Sequence, residues 1–441
     1  MDRETRAGIP CYHVAAGGCV RGEVQVPGDK SISHRAVLLG GIAEGTTEVE
    51  GFLESEDCLA TLQAMRAMGV EVGRPAPGRV VIDGVGLHSL ATPARALDMG
   101  NAGTAMRLSM GLLAGQAFDA TLIGDESLSR RPMERAAAPL RQMGARIDTT
   151  DGHPPVTVHG GMPLRGIDYE LKVASAQVKS AILLAGLYAE GETAVREPAV
   201  TRDHTERMLR AFGVPVESQG GRVALRGGRE LKATYLHVPG DISSAAFFLV
   251  AGALAAEGAF LVRDVGLNPT RTGVIEILRL MGADLRVVNA RLSGDEPVAD
   301  IEVRASELKG IEVPRALVPL AIDEFPVLFV AAACARGTTV VTGAEELRVK
   351  ESDRILAMAQ GLHALGIDAE ALPDGMRIEG GRLTGGTVKS HGDHRVAMAF
   401  AIAALKAERP VRVEDVANVA TSFPGFPAIA RHAGIAIEES R

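Results

Sequence analysis

Six times along the chain a short polar cluster gives way to a run that is apolar almost all the way round. Examples are AVLLGGIA after Arg35, AILLAGLYA after Ser180 and AAFFLVAGALA after Ser244. A helix with no polar face is buried in a core unless it is long enough to span a bilayer, and these runs are too short for that. They predict buried helices. Between them, segments such as EDCLATLQAMRAMG and DHTERMLRAFG place charged and apolar residues on opposite faces at helical spacing, which predicts surface helices. Glycine turns and Thr/Val-rich strands separate the two kinds. The skeleton restarts near Val26, Met99, Val173, Val238, Ile322 and Ser390, and each copy reads β-α-β-α-β-β.

VPGD opens the copies at Val26 and Val238, so the chain reads as two related halves. The expected fold is α/β, with two similar domains, each of three β-α-β-α-β-β repeats around three buried parallel helices. At 441 residues the chain also exceeds the size at which one core keeps growing. Parallel buried helices bring their N-termini out together, presenting unpaired N–H groups and the positive ends of their dipoles. Such a face binds phosphate and carboxylate, and two faces opposed predict a cleft for anionic small molecules.

Composition narrows the partners. The net charge of −8, the absence of Trp and a total of four Tyr exclude a basic, aromatic nucleic-acid surface. No charge-free apolar run is long enough for a membrane span. The N-terminal MDRETRAGIPCYHVAAGG mixes acids with bases and lacks the apolar stretch of a secretory signal, which places the protein in the cytoplasm. Cys11, Cys19, Cys58 and Cys334 have no metal-ligand spacing and read as reduced thiols, and no metal site is predicted.

Candidate chemistry sits at the helix starts. The first carries Lys30, Ser31, Ser33, His34 and Arg35, with Ser31 either capping the helix or donating to a ligand oxygen. The second is the small-residue turn Gly100 to Thr104 ahead of Arg107. Downstream of it Arg130 and Arg131 read either as a bidentate anion clamp or as surface charge. The third offers Ser175, Gln177 and Lys179 as donors, followed by a loop with Arg202, His204 and Glu206, the last two organising the loop. In the second half Asp323 and Glu324 open one helix, Lys350 to Arg354 open an outer one, and Asp393 to Arg395 another. Glu324 and Asp353 read as helix-dipole partners. Acids and a lysine in a field of positive potential suit proton transfer.

In order along the chain, VPGDKSISHRA, GNAGTAMR, RRPM, SAQVKSAILLAGL, RDHTER, NPTR, IDEFP, LRVKESDR, DHRVAMAF and TSFPGF resemble the 3-phosphoshikimate 1-carboxyvinyltransferase (EPSP synthase) family from about Val26 to Phe426. The resemblance implies the inside-out α/β barrel of that family, with residues 27–239 as the N-terminal half and residues 1–26 plus 240–441 as a discontinuous C-terminal half. It implies transfer of the enolpyruvyl group of phosphoenolpyruvate to the 5-hydroxyl of shikimate 3-phosphate, in the shikimate pathway, without metal or organic cofactor, by a monomer. By matching positions, Lys30, Ser31, Arg35, Ser175, Ala176, Gln177, Arg202, Asp323 and Lys350 hold shikimate 3-phosphate. Lys30, Gly103, Arg131, Gln177, Arg354 and Arg395 hold phosphoenolpyruvate. Asp323, Glu351 and Lys30 are the implied catalytic residues, with the division of proton work between Glu351 and Lys30 left open.

The best-known subgroup of the family has Asn where Glu346 stands and Lys where Thr421 stands. GDKS, SAQVK, RDHTE and NPTR are similar instead to the second, glyphosate-tolerant subgroup, although Gly103 leaves room for the inhibitor where some tolerant members have Ala. Two rival readings are weaker. The related transferase acting on UDP-N-acetylglucosamine uses a mobile loop, usually with a reactive Cys, and none of the four cysteines lies in such a loop. A non-catalytic scaffold for polyanions needs neither Asp323 nor Glu351 among the cations.

Overall fold

The computed structural model describes residues 9–440. The chain forms two compact units. Unit 2 is Gly28–Pro239 together with Leu292–Glu296, and unit 1 is the described chain to Pro27, Gly240–Arg291 and the chain from Pro297. The unit boundaries fall within the two VPGD segments, where backbone bonds brace the passages: the Asp29 amide donates to the Pro239 carbonyl at 2.8 Å in unit 2, and the Asp241 amide to the Pro27 carbonyl at 2.9 Å in unit 1.

Unit 2 contains helices α1 (Lys30–Gly41), α2 (Glu56–Ala67), α3 (Gly103–Leu113), α4 (Glu126–Ser129), α5 (Glu134–Gln142), α6 (Ala176–Gly186) and α7 (His204–Ala211). Unit 1 contains α8 (Ile242–Ala255), α9 (Gly273–Leu280), α10 (Phe325–Ala333), α11 (Arg354–Ala364), α12 (His394–Ala403) and α13 (Phe426–Ala433). The apolar runs are the central helices α1, α3 and α6 of unit 2 and α8, α10 and α12 of unit 1. Every residue of α10, and Ile242 to Leu254 of α8, is buried. Each fully buried Leu or Phe contributes about 1.5–3 kcal/mol, so these stripes are the main source of cohesion. The approach of α3 to α6 depends on Gly111, where a Cβ would lie 2.1 Å from the Ala181 carbonyl oxygen.

Among the described residues six sheets accompany the six central helices. Most join a parallel edge strand to an antiparallel set, as a parallel pair requires a crossover and the central helix provides it. Thus Leu97–Asp98 runs parallel to Ala120–Ile123 across α3, and Asp168–Glu170 parallel to Glu192–Arg196 across α6. The first sheet takes its parallel strand Tyr235–His237 from the far end of unit 2, where it pairs with Ala43–Glu50. Unit 1 takes two strands from the N-terminal segment. Glu23–Gln25 runs parallel to Phe260–Gly266, and Cys11–Val14 lies between Val411–Glu414 and Ile437–Ser440.

One hairpin of unit 1, Asp284–Ser293 with Glu296–Arg304, has its tip Leu292–Glu296 in unit 2. There Glu296 bonds the buried His204, Oε1 to Nδ1 at 2.8 Å, and the Asp295 carbonyl accepts from Arg207. All four cysteines are free, and no described helix is long and apolar enough to cross a membrane.

Candidate active site

The starts of the three central helices of unit 2 lie together, because side chains of their first two turns bond one another. Gln177 Nε2 donates to Thr104 Oγ1 at 2.9 Å and its Oε1 accepts from Arg107 Nη1 at 2.7 Å, joining α6 to α3. Arg35 Nη2 donates to Ser180 Oγ at 2.8 Å, joining α1 to α6. The three positive helix ends therefore share one patch, and Lys30, Ser31, Gly103, Ser175, Ala176 and Gln177 stand on it.

Of the two readings of Ser31, the one in which it caps α1 is corrected. Asp29 is the cap, its carboxylate accepting from the Ile32 amide at 2.9 Å, since a carboxylate one residue before the helix reaches the orphan N–H groups and answers the dipole. Lys30 pairs with Asp57 of α2. His34 is buried, bonds Thr61 Oγ1 through Nδ1 at 2.7 Å, and is held far below the usual imidazole range by burial first and then by Lys30 and Arg35. It is neutral and structural. Arg35 is itself buried, with Nε on Thr205 Oγ1 at 2.7 Å and Nη1 on the Ser31 carbonyl at 2.9 Å.

On α3, Gly103 opens the helix without a side-chain cap, and a Cβ there would stand 3.0 Å from Arg107 Nη1 and 3.2 Å from Arg131 Nη1. Arg131 is oriented by Asn101, Nη2 to Oδ1 at 2.6 Å, and Asn101 by Asp125 at 2.8 Å. Its neighbour Arg130 is a surface residue paired with Glu126. Ser175 caps α6, accepting from the Val178 amide at 3.4 Å. Arg202 lies in the loop between Glu192–Arg196 and α7. The reading of Lys179 as a donor at the helix start is also corrected: its ammonium is turned inward, sealed between Glu197 and Glu206.

Unit 1 gathers a second set around one guanidinium. Arg354, at the start of α11, is 1% exposed and holds three carboxylates. Its Nε donates to Asp393 Oδ2 at 2.8 Å, Nη2 to Glu351 Oε2 at 2.6 Å, and Nη1 to Asp323 Oδ1 at 3.3 Å. Lys350 Nζ lies 3.5 Å from the same Asp323 oxygen. Asp393 caps α12, accepting from the Arg395 amide at 2.9 Å, so the starts of α11 and α12 and the turn before α10 meet here. Burial opposes the Arg354 charge, but Asp393, Glu351 and Asp323 outweigh it and keep the guanidinium protonated beyond its ordinary value. Burial likewise pushes the Asp393 carboxyl up, yet Arg354 beside it leaves it below the usual carboxylate range.

Glu324 departs from the reading as a dipole partner. It is buried, makes no cap bond to α10, accepts from Ser243 Oγ, and lies 3.9 Å from Arg271. Arg271 also donates to Asp241 Oδ1 at 3.0 Å and to Ser243 Oγ at 2.6 Å. The start of α8 is thus closed by its own ion cluster, unlike that of α1. Asp353 caps α11, as a dipole partner should, accepting from the Leu356 amide at 3.0 Å.

The structure therefore brings Lys30, Ser31, Arg35, Gly103, Arg131, Ser175, Ala176 and Gln177 onto the joined helix starts of unit 2, with Arg202 in the loop before α7. It brings Asp323, Lys350, Glu351, Arg354 and Arg395 onto those of unit 1. Sequence reasoning missed Asp57, Thr104, Arg107 and Asp393 as the groups that orient them. An arginine four residues into a helix whose start carries no cap, as Arg107 stands to Gly103, is the one local signal that pointed to any of these. Cations at helix starts suit phosphate and carboxylate, and carboxylates gathered on one guanidinium suit proton transfer beside a bound anion.

The family profile described as "EPSP synthase (3-phosphoshikimate 1-carboxyvinyltransferase)" matches residues 14–429. The 3-phosphoshikimate 1-carboxyvinyltransferase of Methylococcus capsulatus is 63% identical over 430 residues, covering 97% of this chain and 98% of the relative. That of Alkalilimnicola ehrlichii is 62% identical over 428 residues, covering 97% and 96%. Among solved structures, an EPSP synthase from Acinetobacter baumannii superposes with a TM-score of 0.88 at 56% identity, covering 98% of this chain and all of that one (100%).

Proposed function

The chain belongs to the EPSP synthase family, and on that premise we propose how its two sets of helix starts divide the work. The reaction transfers the enolpyruvyl group of phosphoenolpyruvate to the 5-hydroxyl of shikimate 3-phosphate and releases phosphate, on the shikimate pathway to chorismate and the aromatic amino acids. It is an addition followed by an elimination through a tetrahedral intermediate.

Ser175, Gln177 and Arg202 hold the phosphate of shikimate 3-phosphate, with Ser31, Arg35 and Ala176 beside them and Lys350 on the ring hydroxyls. Phosphoenolpyruvate takes Lys30, Arg131, Gln177, Arg354 and Arg395, with the backbone at Gly103 open to it. Asp323 accepts the proton of the attacking hydroxyl as oxygen bonds to C2. Glu351 gives a proton to C3 in the addition and removes one in the elimination, while Lys30 neutralises the departing phosphate. The observation that carries this reading is that Asp323 and Glu351 share the buried guanidinium of Arg354, at 3.3 and 2.6 Å. An anion drawn to Arg354 arrives within reach of both proton carriers.

The test is product formation and binding by Asp323→Ala and Glu351→Gln. Retained binding with turnover lowered about 100-fold or more supports the roles, and undiminished turnover in both overturns them. The chain falls in the glyphosate-tolerant second subgroup on this reading. It is supported by Thr421, whose hydroxyl turns inward to the Asn418 carbonyl at 2.7 Å where the other subgroup has a lysine, and by Glu346, 3.9 Å from Lys350. We place the enzyme in the cytoplasm as a monomer that needs neither metal nor organic cofactor.

A further inference from the structure

Behind the helix start that carries Ser175 and Gln177, unit 2 seals one lysine and two glutamates away from water. Lys179 Nζ lies 2.9 Å from Glu197 Oε2 and 2.7 Å from Glu206 Oε1, with side-chain exposures of 1, 3 and 1%. The ammonium also donates to the Thr201 carbonyl at 3.5 Å, and the Thr201 hydroxyl donates to the other oxygen of Glu197. Dehydrating three ions is far more expensive than packing apolar groups of the same size, which hold a helix to a strand as well. What the ions add is register.

The segment whose register they set carries Arg202. Glu197 follows the strand Glu192–Arg196, Thr201 lies mid-loop, and Glu206 is in the first turn of α7. A single ammonium thus grips the loop at its start, middle and end, and Arg202 is the residue after Thr201. Lys179 stands two residues beyond Gln177 on α6. Arg35 enters the same layer: its Nε donates to Thr205 and its Nη2 to Ser180, and Thr205 donates to Ser180 at 2.7 Å. Thr205 and Ser180 are the sequence neighbours of Glu206 and Lys179, so two cations and two carboxylates interlock.

We propose that Lys179, with Glu197 and Glu206, is a positioning residue for the phosphate of shikimate 3-phosphate, fixing the backbone of Arg202 against the start of α6. This rests on the reading of Arg202, Ser175 and Gln177 as phosphate ligands. Without the ammonium the loop, whose Val200 is 55% exposed, must be ordered by the substrate itself. Ordering even one backbone residue on binding weakens affinity about tenfold.

The experiment compares Lys179→Met, Lys179→Arg, the charge-balanced Lys179→Met/Glu197→Gln/Glu206→Gln and Arg202→Ala in the full chain. Kinetics with each substrate varied are combined with calorimetric binding of shikimate 3-phosphate and thermal melting. Lys179→Met is expected to raise KM and Kd for shikimate 3-phosphate about tenfold while KM for phosphoenolpyruvate stays within about twofold. The triple variant leaves no buried carboxylate uncompensated, so it folds and keeps the same split, and Lys179→Arg recovers part of the loss. Lower melting temperatures or a smaller active fraction with KM for shikimate 3-phosphate unchanged make the cluster a packing device and overturn the proposal. An Arg202→Ala enzyme with normal KM for shikimate 3-phosphate overturns the phosphate reading itself. A raised KM there with none in the Lys179 variants overturns the positioning role alone.

Discussion

Replacing Arg354 by methionine removes the cation on which three carboxylates converge while keeping most of the volume. Asp393, with a side chain 0% exposed, is then left in the interior with its charge uncompensated, and Glu351 and Asp323 at 19 and 13% exposure stand beside it. Breaking a buried pair from one side costs about 3–5 kcal/mol. In a folding unit of roughly 200 residues each kcal/mol moves the melting temperature by about 2–4 °C, so unit 1 should melt about 6–20 °C lower at neutral pH. The deficit depends on pH with a definite sign. In the wild type, burial raises the Asp393 carboxyl but Arg354 more than offsets this, leaving it below its ordinary value. A depressed carboxylate contributes stability that is present above the unfolded pKa of about 3.9 and is lost as pH falls through the folded value. In the variant burial acts without Arg354 against it, only the weaker pull of His394 remaining, so the Asp393 carboxyl takes up its proton at higher pH and the gap to wild type narrows from pH 8 toward pH 4. Melting followed by circular dichroism across that range measures it, with Arg354→Met/Asp393→Asn as the companion. A gap that does not change with pH, or a double variant less stable than the single, would refute the reasoning.

Two further outcomes are expected. Gly103→Ala places a methyl against the flexible ends of Arg107 and Arg131, 3.0 and 3.2 Å away, so the fold survives; KM for phosphoenolpyruvate should rise more than KM for shikimate 3-phosphate, and glyphosate inhibition at fixed low phosphoenolpyruvate should weaken relative to the wild type. Equal changes in the two KM values, or strong inhibition of the wild type, count against the placement of Gly103 and against the subgroup respectively. His159 bonds Asp148 at 2.8 Å and Asp119 at 2.9 Å, and these bonds, Asp148 first, raise its pKa. Its stabilisation is therefore present below the unfolded imidazole value and lost as pH rises through the raised one, and Asp148→Asn should return the NMR titration toward about 6.5; an unmoved titration contradicts the clamp.

The central helices were legible because a run such as AAFFLVAGALA has no polar face to offer water, whatever surrounds it. The second helices and the repeat were legible for a related reason, a periodicity carried within a dozen residues. The gathering of cations at the helix starts followed from where the caps and basic residues fall in the sequence. What the sequence withheld was the partner of each charge. Nothing local says that Lys30 pairs with Asp57, that Arg354 reaches Asp393 thirty-nine residues away, or that Lys179 faces inward while Lys30 does not. Lys179 shows the difficulty well: lysines are almost never fully buried, so exposure is the sound expectation until two glutamates from another segment are folded over it. Glu324 misled for the same reason, since its partner Arg271 is brought by the turn before α9.

The N-terminal strand also bears on how the protein is made. His13 pairs with Arg412 and Glu438, residues that leave the ribosome some 400 positions later, which at ordinary synthesis speeds is a delay of about 20–80 s. Everything unit 2 needs, the hairpin tip at 292–296 included, is by then already translated. A strand translated so long before its partners is thus among the last to find its neighbours, and during that interval it is unpaired and open to aggregation or to capture by a chaperone. A circular permutation that carries this segment to the other end of the gene would abolish the wait.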